Sequence, residues 1–139
     1  MALAASVLIV DDNARIVAML ARILESLGVD YEIARNGREG VEKLSANLYK
    51  VVLLDFEMPE LDGVGVFSWI KRELAQQPYV VVLTSDTRPE TRARFHDLGC
   101  NAFVQKPFTV ADIVEVLKPA ALTDPADAPR KACGGGNKC

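Results

Sequence analysis

The sequence predicts an α/β fold in which one parallel sheet is covered by helices on both faces, an open doubly wound arrangement. Four short runs are almost continuously apolar, at residues 7–10, 51–54, 80–83 and 102–105. Strands of this kind are buried on both faces, which is typical of parallel sheets. Segments with helical spacing separate these runs. Polar residues follow the runs, as expected at the carboxyl edge of such a sheet.

The first half of the chain predicts a helix, a short strand and a second helix after the first apolar run. One apolar stripe at helical spacing marks the first helix: Ile16, Val17, Leu20, Ile23, Leu24 and Leu27. Gly28 is a natural place for that helix to end. Tyr31 and Ile33 alternate with polar residues, which predicts a short second strand. A weaker helix follows, in which Val41 and Leu44 face inward.

The second half predicts three more helices, which bring the total to five strands alternating with five helices. The third helix carries four apolar residues at helical spacing: Val66, Phe67, Ile70 and Leu74. The fourth is predicted to start with Thr87 as its cap and Pro89 in its first turn, and to end at Gly99. A capping box at residues 109–112 predicts the start of the fifth helix, which Pro119 ends.

Composition excludes several classes of function. The chain has 139 residues, half of them hydrophobic, and a net charge of -3. Because no cluster of Lys or Arg is present, direct nucleic-acid binding is not expected. No apolar run approaches the roughly 20 residues of a membrane helix, and the first residues lack a basic leader, so neither a span nor a signal peptide is predicted.

The chain is predicted to divide into a folded domain at residues 1–122 and a flexible tail at residues 123–139. The tail has almost no large apolar side chains, so it cannot bury enough surface to offset the entropy of ordering it. It contains Cys133 and Cys139, whose role the sequence leaves open. Because three cysteines do not make a disulfide framework, we expect a reducing, cytoplasmic environment.

The polar residues at the strand ends predict a site. Asp11 and Asp12 follow the first run, Asp55 the second and Thr84 the third, and Lys106 comes directly after the fourth. Carboxylates grouped in this way suit Mg²⁺, and one of them could act as a nucleophile that forms an aspartyl phosphate. An ammonium and a hydroxyl nearby would then neutralise and position the phosphoryl group. Taken alone, the two adjacent aspartates could instead cap the first helix.

These motifs resemble the receiver domain of two-component response regulators, of the single-domain, stand-alone type. The resemblance covers about residues 5 to 118. The motifs occur in the family's order: Val10-Asp11-Asp12, Leu54-Asp55-Phe56-Glu57-Met58-Pro59, Asp62-Gly63, Leu83-Thr84-Ser85 and Lys106-Pro107-Phe108. The resemblance implies a flavodoxin-like sheet with strand order 2-1-3-4-5. It also implies roles for single residues.

By resemblance, Asp55 is the phosphoacceptor. The Mg²⁺ ligands would be Asp11, Asp12, Asp55 and the main-chain carbonyl of Glu57. Thr84 and Lys106 would bind the phosphoryl group. Thr84 and an aromatic residue, here Phe103, would form the switch that reports its arrival. Without the resemblance, Phe103 would be interpreted as an ordinary core residue.

The resemblance also implies partners. A sensor histidine kinase or a histidine phosphotransfer protein would supply the phosphoryl group. The signal would pass to a downstream protein target, or to a second copy, through the face formed by the fourth helix, fifth strand and fifth helix. The only catalysis implied is the domain's own phosphotransfer and dephosphorylation, so it is not expected to be an enzyme. The chain could also be one part of a larger regulator or hybrid kinase.

Two acids depart from what a phosphoryl site would favour. Glu57 lies two residues after the acceptor, and Asp86 lies two residues after the hydroxyl. Near a phosphoryl group both would disfavour anionic donors and change its rate of hydrolysis, so Glu57→Asn and Asp86→Ala should each change the aspartyl-phosphate half-life. The alternative is that both side chains point into solvent.

Two other functions remain as alternatives. An aspartate-nucleophile phosphohydrolase of the haloacid dehalogenase type would also use Mg²⁺ and a lysine, but its acids follow the first strand and it usually carries a cap insertion. A degenerate receiver would act as a scaffold without phosphorylation. The complete set of site residues argues against the scaffold, whereas the acids at positions 57 and 86 favour it.

Overall fold

The computed structural model describes residues 6–58, 63–86 and 88–120. Within these ranges five strands alternate with five helices. The strands are β1 (Val7–Val10), β2 (Tyr31–Ala34), β3 (Val51–Asp55), β4 (Tyr79–Thr84) and β5 (Ala102–Gln105). The helices are α1 (Ala14–Ser26), α2 (Gly37–Ala46), α3 (Gly63–Glu73), α4 (Pro89–Leu98) and α5 (Val110–Leu117), and a 3₁₀ helix follows at Lys118–Ala120.

The sheet has the predicted architecture. All five strands are parallel and lie in the order β2-β1-β3-β4-β5. Val10 pairs with Leu54 across β1 and β3, and Thr84 pairs with Gln105 across β4 and β5. The residues that end these strands or follow them therefore lie along one edge, at the centre of the sheet.

Two apolar cores explain why the strand runs are continuous. Alternate residues of β1 point to opposite faces, with Val7 and Ile9 in one core and Leu8 and Val10 in the other. Helices α1 and α5 cover the first core, and helices α2, α3 and α4 cover the second. Because both faces are covered, every residue of β1 is fully buried. This rigid sheet positions the polar edge.

Helix caps settle one of the alternatives. The cap of α1 is Asn13, whose side chain accepts hydrogen bonds from the main-chain N–H groups of Arg15 and Ile16. Neither Asp11 nor Asp12 serves as that cap, so the two aspartates are left for another role. The capping box predicted for α5 is confirmed, with the Thr109 hydroxyl and the Asp112 carboxylate both engaged.

The predicted start of α4 needs a correction. Pro89 is in the first turn as expected, but the cap position is Arg88, which makes no side-chain cap hydrogen bond. Thr87, the predicted cap, lies outside the described residues. The Asp86 carboxylate accepts from the Arg88 N–H at 3.0 Å. At the other end Gly99 adopts φ +92, which L side chains rarely tolerate, and so ends the helix as predicted.

Gly63 brings the start of α3 against the end of β3. A Cβ atom at this position would lie 2.7 Å from the Asp55 carbonyl oxygen and 2.8 Å from the Phe56 Cα. Both are backbone atoms that cannot yield cheaply, so only glycine allows this approach. The Gly63 N–H also donates to the Phe56 carbonyl at 3.2 Å. The backbone at Asp55 and Phe56 is thus held by close packing.

Several predicted features lie outside the described residues. These are the tail with Cys133 and Cys139, together with Pro59 and Asp62 of the motifs. The boundary at residue 122 stays a prediction. In the described part of the chain, no helix combines the length and the apolar character that crossing a membrane requires.

Candidate functional site

Three carboxylates meet where β1 and β3 end. Asp11 and Asp12 follow β1, Asp55 ends β3, and each offers an oxygen within 4.8 Å of those of the other two. The parallel register of the two strands produces this meeting, because Val10 and Leu54 are paired one residue earlier. Asp11 and Asp55 are 0% and 1% exposed, whereas Asp12 is exposed.

Lys106 supplies the positive charge of the site. It follows β5, and its N–H donates to the Thr84 carbonyl at 2.7 Å, which holds the residue at the end of the neighbouring strand. Its Nζ donates to Asp55 Oδ1 at 2.8 Å and lies 3.7 Å from Asp11 Oδ2. The following peptide bond, to Pro107, is cis. One ammonium therefore lies beside the two buried carboxylates of the cluster.

The acid cluster carries more negative charge than the protein compensates. Burial raises the pKa of Asp11, and burial together with the Asp11 charge raises the pKa of Asp55 to about 7, against the opposing effect of Lys106. Burial works to lower the pKa of Lys106, but its hydrogen bond to Asp55 and the Asp11 charge raise it overall. The ammonium thus stays charged.

A divalent cation fits this cluster. Asp11 Oδ2 is buried and has no hydrogen-bond partner among the described residues. Lys106 Nζ lies 3.7 Å away, too far for a hydrogen bond, and a buried carboxylate oxygen without a hydrogen bond is costly unless a cation or a proton joins it. Hard oxygen ligands of this kind suit Mg²⁺, which usually binds through one or two carboxylates and keeps several waters. The donor set therefore fits the magnesium ion that the sequence predicted.

Thr84 and Glu57 form a second group of polar contacts beside the acids. The buried Thr84 hydroxyl donates to Glu57 Oε2 at 2.6 Å and accepts from the Asp86 N–H at 2.9 Å. The Ser85 hydroxyl donates to Glu57 Oε1 at 3.3 Å. The Glu57 N–H donates to Asp55 Oδ1 at 3.2 Å, so the backbone of Glu57 lies beside the Asp55 carboxylate. Its side chain spans from there to Thr84.

The two acids flagged in the sequence differ in their contacts. Glu57 reaches the site, as described. The Asp86 carboxylate instead binds Arg88, with Oδ2 at 2.7 Å from Nη2, and accepts from the Thr91 hydroxyl at 2.7 Å. These hydrogen bonds, that of Arg88 foremost, lower the pKa of Asp86 well below its usual range. Asp86 therefore serves the start of α4, and neither acid simply points into solvent.

Phe103 lies in an aromatic chain that leads back to Asp55. Its ring is 9% exposed, and the Arg92 guanidinium lies over it, 4.8 Å from the centroid. Phe95 lies 6.0 Å from Phe103 and 5.0 Å from Phe56, edge to face with the latter. Phe56 directly follows Asp55. A contiguous set of rings thus joins the end of β3 to β5.

The structure brings Asp11, Asp12, Asp55 and Lys106 together as predicted. It places Thr84 next to Glu57, and the hydroxyl's hydrogen bonds in the described part of the chain go to Glu57 and Asp86. Sequence reasoning placed the Glu57 side chain near the phosphoryl group but missed its hydrogen bond to Thr84, and it missed the pair Phe56 and Phe95. The signal for the rings was the aromatic residue after Asp55, whereas nothing in the sequence showed which hydroxyl Glu57 would contact.

Comparison with known proteins agrees with this geometry. The model of the response regulator receiver domain family matches residues 7–118. Among curated relatives, the chain is 35% identical over 111 residues to the transcriptional regulatory protein CpxR homolog of Haemophilus influenzae, covering 80% of this chain and 48% of that one. It is 31% identical over 114 residues to the uncharacterized transcriptional regulatory protein YkoG of Bacillus subtilis, covering 82% and 50%. The chain thus spans about half the length of these two relatives.

Solved structures give the same result. The receiver domain of a signal transduction histidine kinase from Syntrophus aciditrophicus superposes with a TM-score of 0.74 at 33% identity, covering 84% of this chain and 89% of that one. The chemotaxis response regulator CheY4 of Vibrio cholerae gives a TM-score of 0.77 at 26% identity, covering 84% and 98%. The strand order is the one predicted for a CheY-like fold. The chain belongs to the family of response regulator receiver domains.

Proposed function

We propose that this receiver domain accepts a phosphoryl group on Asp55 from a phosphohistidine in a Mg²⁺-dependent reaction. One observation carries the proposal. Asp55 is buried beside two further acids, and Lys106 holds one of its oxygens at 2.8 Å. The placement of this carboxylate favours its reaction as a nucleophile, and the groups around it can bind both a cation and an oxyanion.

In the proposed reaction a carboxylate oxygen of Asp55 attacks the phosphorus atom of the donor. The new P–O bond forms as the P–N bond breaks, and the electron pair of that bond stays on the imidazole nitrogen. Lys106 balances the charge of the phosphoryl oxygens. Mg²⁺, held by Asp11, Asp12, Asp55 and the Glu57 carbonyl, would neutralise the same oxygens. Water later cleaves the acyl phosphate, which returns inorganic phosphate and the Asp55 carboxylate.

We propose that phosphorylation changes the conformation of the domain through Thr84 and Phe103. A phosphoryl group on Asp55 offers acceptor oxygens that would draw the Thr84 hydroxyl towards it. Because Thr84 ends the strand that pairs with β5, its movement would alter the packing of Phe103 against Phe95 and Arg92. The face of α4, β5 and α5 would then change shape for a downstream protein.

Two surfaces support the proposed partners. An open depression of about 440 Å³ lies between α1 and the start of α5, lined by Arg15, Ala18, Met19, Arg22, Ile23 and Val110. Both helices start within a few residues of the site, so a helix of the histidine phosphodonor protein seated there would present its phosphohistidine to Asp55. For a homodimer, α4 exposes the arginines Arg92 and Arg94 beside the acids Glu90 and Asp97, and α5 exposes the acids Asp112 and Glu115. Arginines of one copy would face acids of the other in a symmetric pairing.

A scaffold that works without phosphorylation is a second candidate. The observation that favours it is the bond between Thr84 and Glu57, which already satisfies the hydroxyl that a phosphoryl group would recruit. In that case the α4, β5 and α5 face would bind its partner constitutively.

Intact mass spectrometry distinguishes the two candidates. We expect the wild-type protein to gain one phosphoryl group when incubated with Mg²⁺ and a small phosphodonor, and Asp55→Asn to gain none. Asp30→Asn, which removes an exposed carboxylate elsewhere, is the matched control and should label like wild type. If wild type neither gains mass nor binds beryllofluoride, the phosphoacceptor proposal fails and the scaffold replaces it.

A further inference from the structure

The Thr84 hydroxyl already donates its hydrogen bond to another residue of the site. A hydroxyl has a single proton to donate, and Thr84 gives it to the Glu57 carboxylate at 2.6 Å. Its oxygen meanwhile accepts from the Asp86 N–H. Thr84 is fully buried, so no water competes for the proton. An oxyanion arriving on Asp55 can obtain this hydrogen bond only if Thr84 first leaves Glu57.

Glu57 is held where it can make this bond. Its N–H donates to Asp55 Oδ1 at 3.2 Å, which fixes the backbone beside the acceptor. From that point the two methylene groups of the side chain bring the carboxylate to the hydroxyls of Thr84 and Ser85. The Glu57 carboxylate thus accepts hydrogen bonds from two donors. Its charge has the same sign as that of a phosphoryl group. Because Glu57 itself is exposed, water can take over its hydrogen bonds once Thr84 departs.

We infer that Glu57 is a positioning residue, which holds the Thr84 hydroxyl in an anion-free state and so lowers the readiness of the site to accept an anion. The inference rests on the proposed function, in which an oxyanion forms on Asp55. Receipt of that oxyanion then exchanges one charge-assisted hydrogen bond of Thr84 for another, and the gain from the second is partly cancelled by the loss of the first.

Two substitutions separate the hydrogen bond from the charge. Glu57→Asp keeps the charge but shortens the side chain by one methylene, so it cannot reach Thr84. Glu57→Gln keeps the reach and offers a neutral acceptor. Glu42→Gln removes one exposed carboxylate on α2 and serves as the matched control for net charge.

The first measurement is binding of beryllofluoride in the presence of Mg²⁺, followed by ¹⁹F NMR. We expect Glu57→Asp to bind about tenfold more tightly than wild type and Glu57→Gln about threefold, since a hydrogen bond to a charged group is roughly twice as strong as a neutral one. The gain from Glu57→Asp should vanish in a Thr84→Val background, and Glu42→Gln should match wild type. If Glu57→Asp binds like wild type while Glu57→Gln binds more tightly, only charge repulsion operates and the inference is wrong.

The second measurement needs neither metal nor anion. In protein labelled at the threonine methyl groups, Glu57→Asp should shift the Thr84 methyl signal of the ligand-free domain, whereas Glu42→Gln should leave it in place. An unchanged Thr84 signal would overturn the inference. This readout is independent of phosphorylation. If wild type fails to bind beryllofluoride, the proposed function is refuted, but the Thr84 methyl signal still shows whether Glu57 holds the Thr84 hydroxyl.

Discussion

The two halves of the site differ in how fully they are satisfied. The acid half, made of Asp11, Asp12, Asp55 and Lys106, contains a buried oxygen with no hydrogen bond and more negative than positive charge. The hydroxyl half, made of Glu57, Thr84 and Ser85, uses its hydroxyl donors internally. The acid half therefore gains from binding a cation, whereas the hydroxyl half must break contacts to engage an anion. The same crevice thus attracts one ligand and resists the other.

The cause lies in burial. Asp11 and Asp55 follow fully buried strand residues, so their carboxylates cannot turn to water. Glu57 is in the loop after β3 and is exposed, so it can adopt whichever contact is strongest. The buried strand ends therefore hold carboxylates without enough partners. Glu57, in the loop, satisfies its carboxylate by accepting a hydrogen bond from Thr84.

The largest effect should come from removing Asp11, whose Oδ2 accepts no hydrogen bond in the described part of the chain. Asp11→Asn should weaken Mg²⁺ binding about 100-fold, because it removes a charged ligand from a buried cluster. Isothermal titration calorimetry measures this directly, with Asp30→Asn as the control for charge. If Asp11→Asn bound Mg²⁺ as tightly as wild type, the acid half would not be the cation site, and the contrast between the halves would lose its basis.

The pH dependence of stability should be the next largest effect. In the folded metal-free protein the pKa of Asp55 is raised to about 7, so folded Asp55 keeps a proton that the unfolded chain has lost above about pH 4. The contribution of this residue to the free energy of unfolding therefore falls as pH rises from 4 to 7 and is constant above that. Urea unfolding in EDTA should show that Asp55→Asn gains roughly 2–3 kcal/mol relative to wild type between pH 5 and pH 8. Parallel pH profiles for the two proteins would contradict the burial of an unsatisfied charge.

The smallest effect should come from Asp86. Its carboxylate binds Arg88 and Thr91, so Asp86→Ala should lower the Tm by about 3 °C, as for a lost cap at a helix start. Its effect on the aspartyl-phosphate half-life should be smaller than that of Glu57→Asn, because Glu57 alone of the two contacts Thr84 through its side chain. Asp97→Ala, on the exposed side of α4, is the control. A larger change in half-life for Asp86→Ala would place that acid in the hydroxyl half.

The acid half could be predicted from the sequence because strand burial and parallel order decide it. Asp11, Asp55 and Lys106 each come directly at the end of a strand, and the resemblance ordered those strands. The direction of the Glu57 side chain could not be predicted, since it depends on which hydroxyl lies within reach after folding. The start of α4 was misplaced for a similar reason: the carboxylate that accepts from the Arg88 N–H comes from Asp86, ahead of the expected motif.

The contact between Phe56, Phe95 and Phe103 makes the domain its own spectroscopic probe. Each ring shifts the resonance frequencies of protons above and beside it, by amounts that depend on distance and tilt. Because the rings are 5.0 and 6.0 Å apart and one of them follows Asp55, a small displacement at either end changes the environment of the central ring. The protons of Phe95 should therefore report changes at Asp55 and at β5 together, without any attached label.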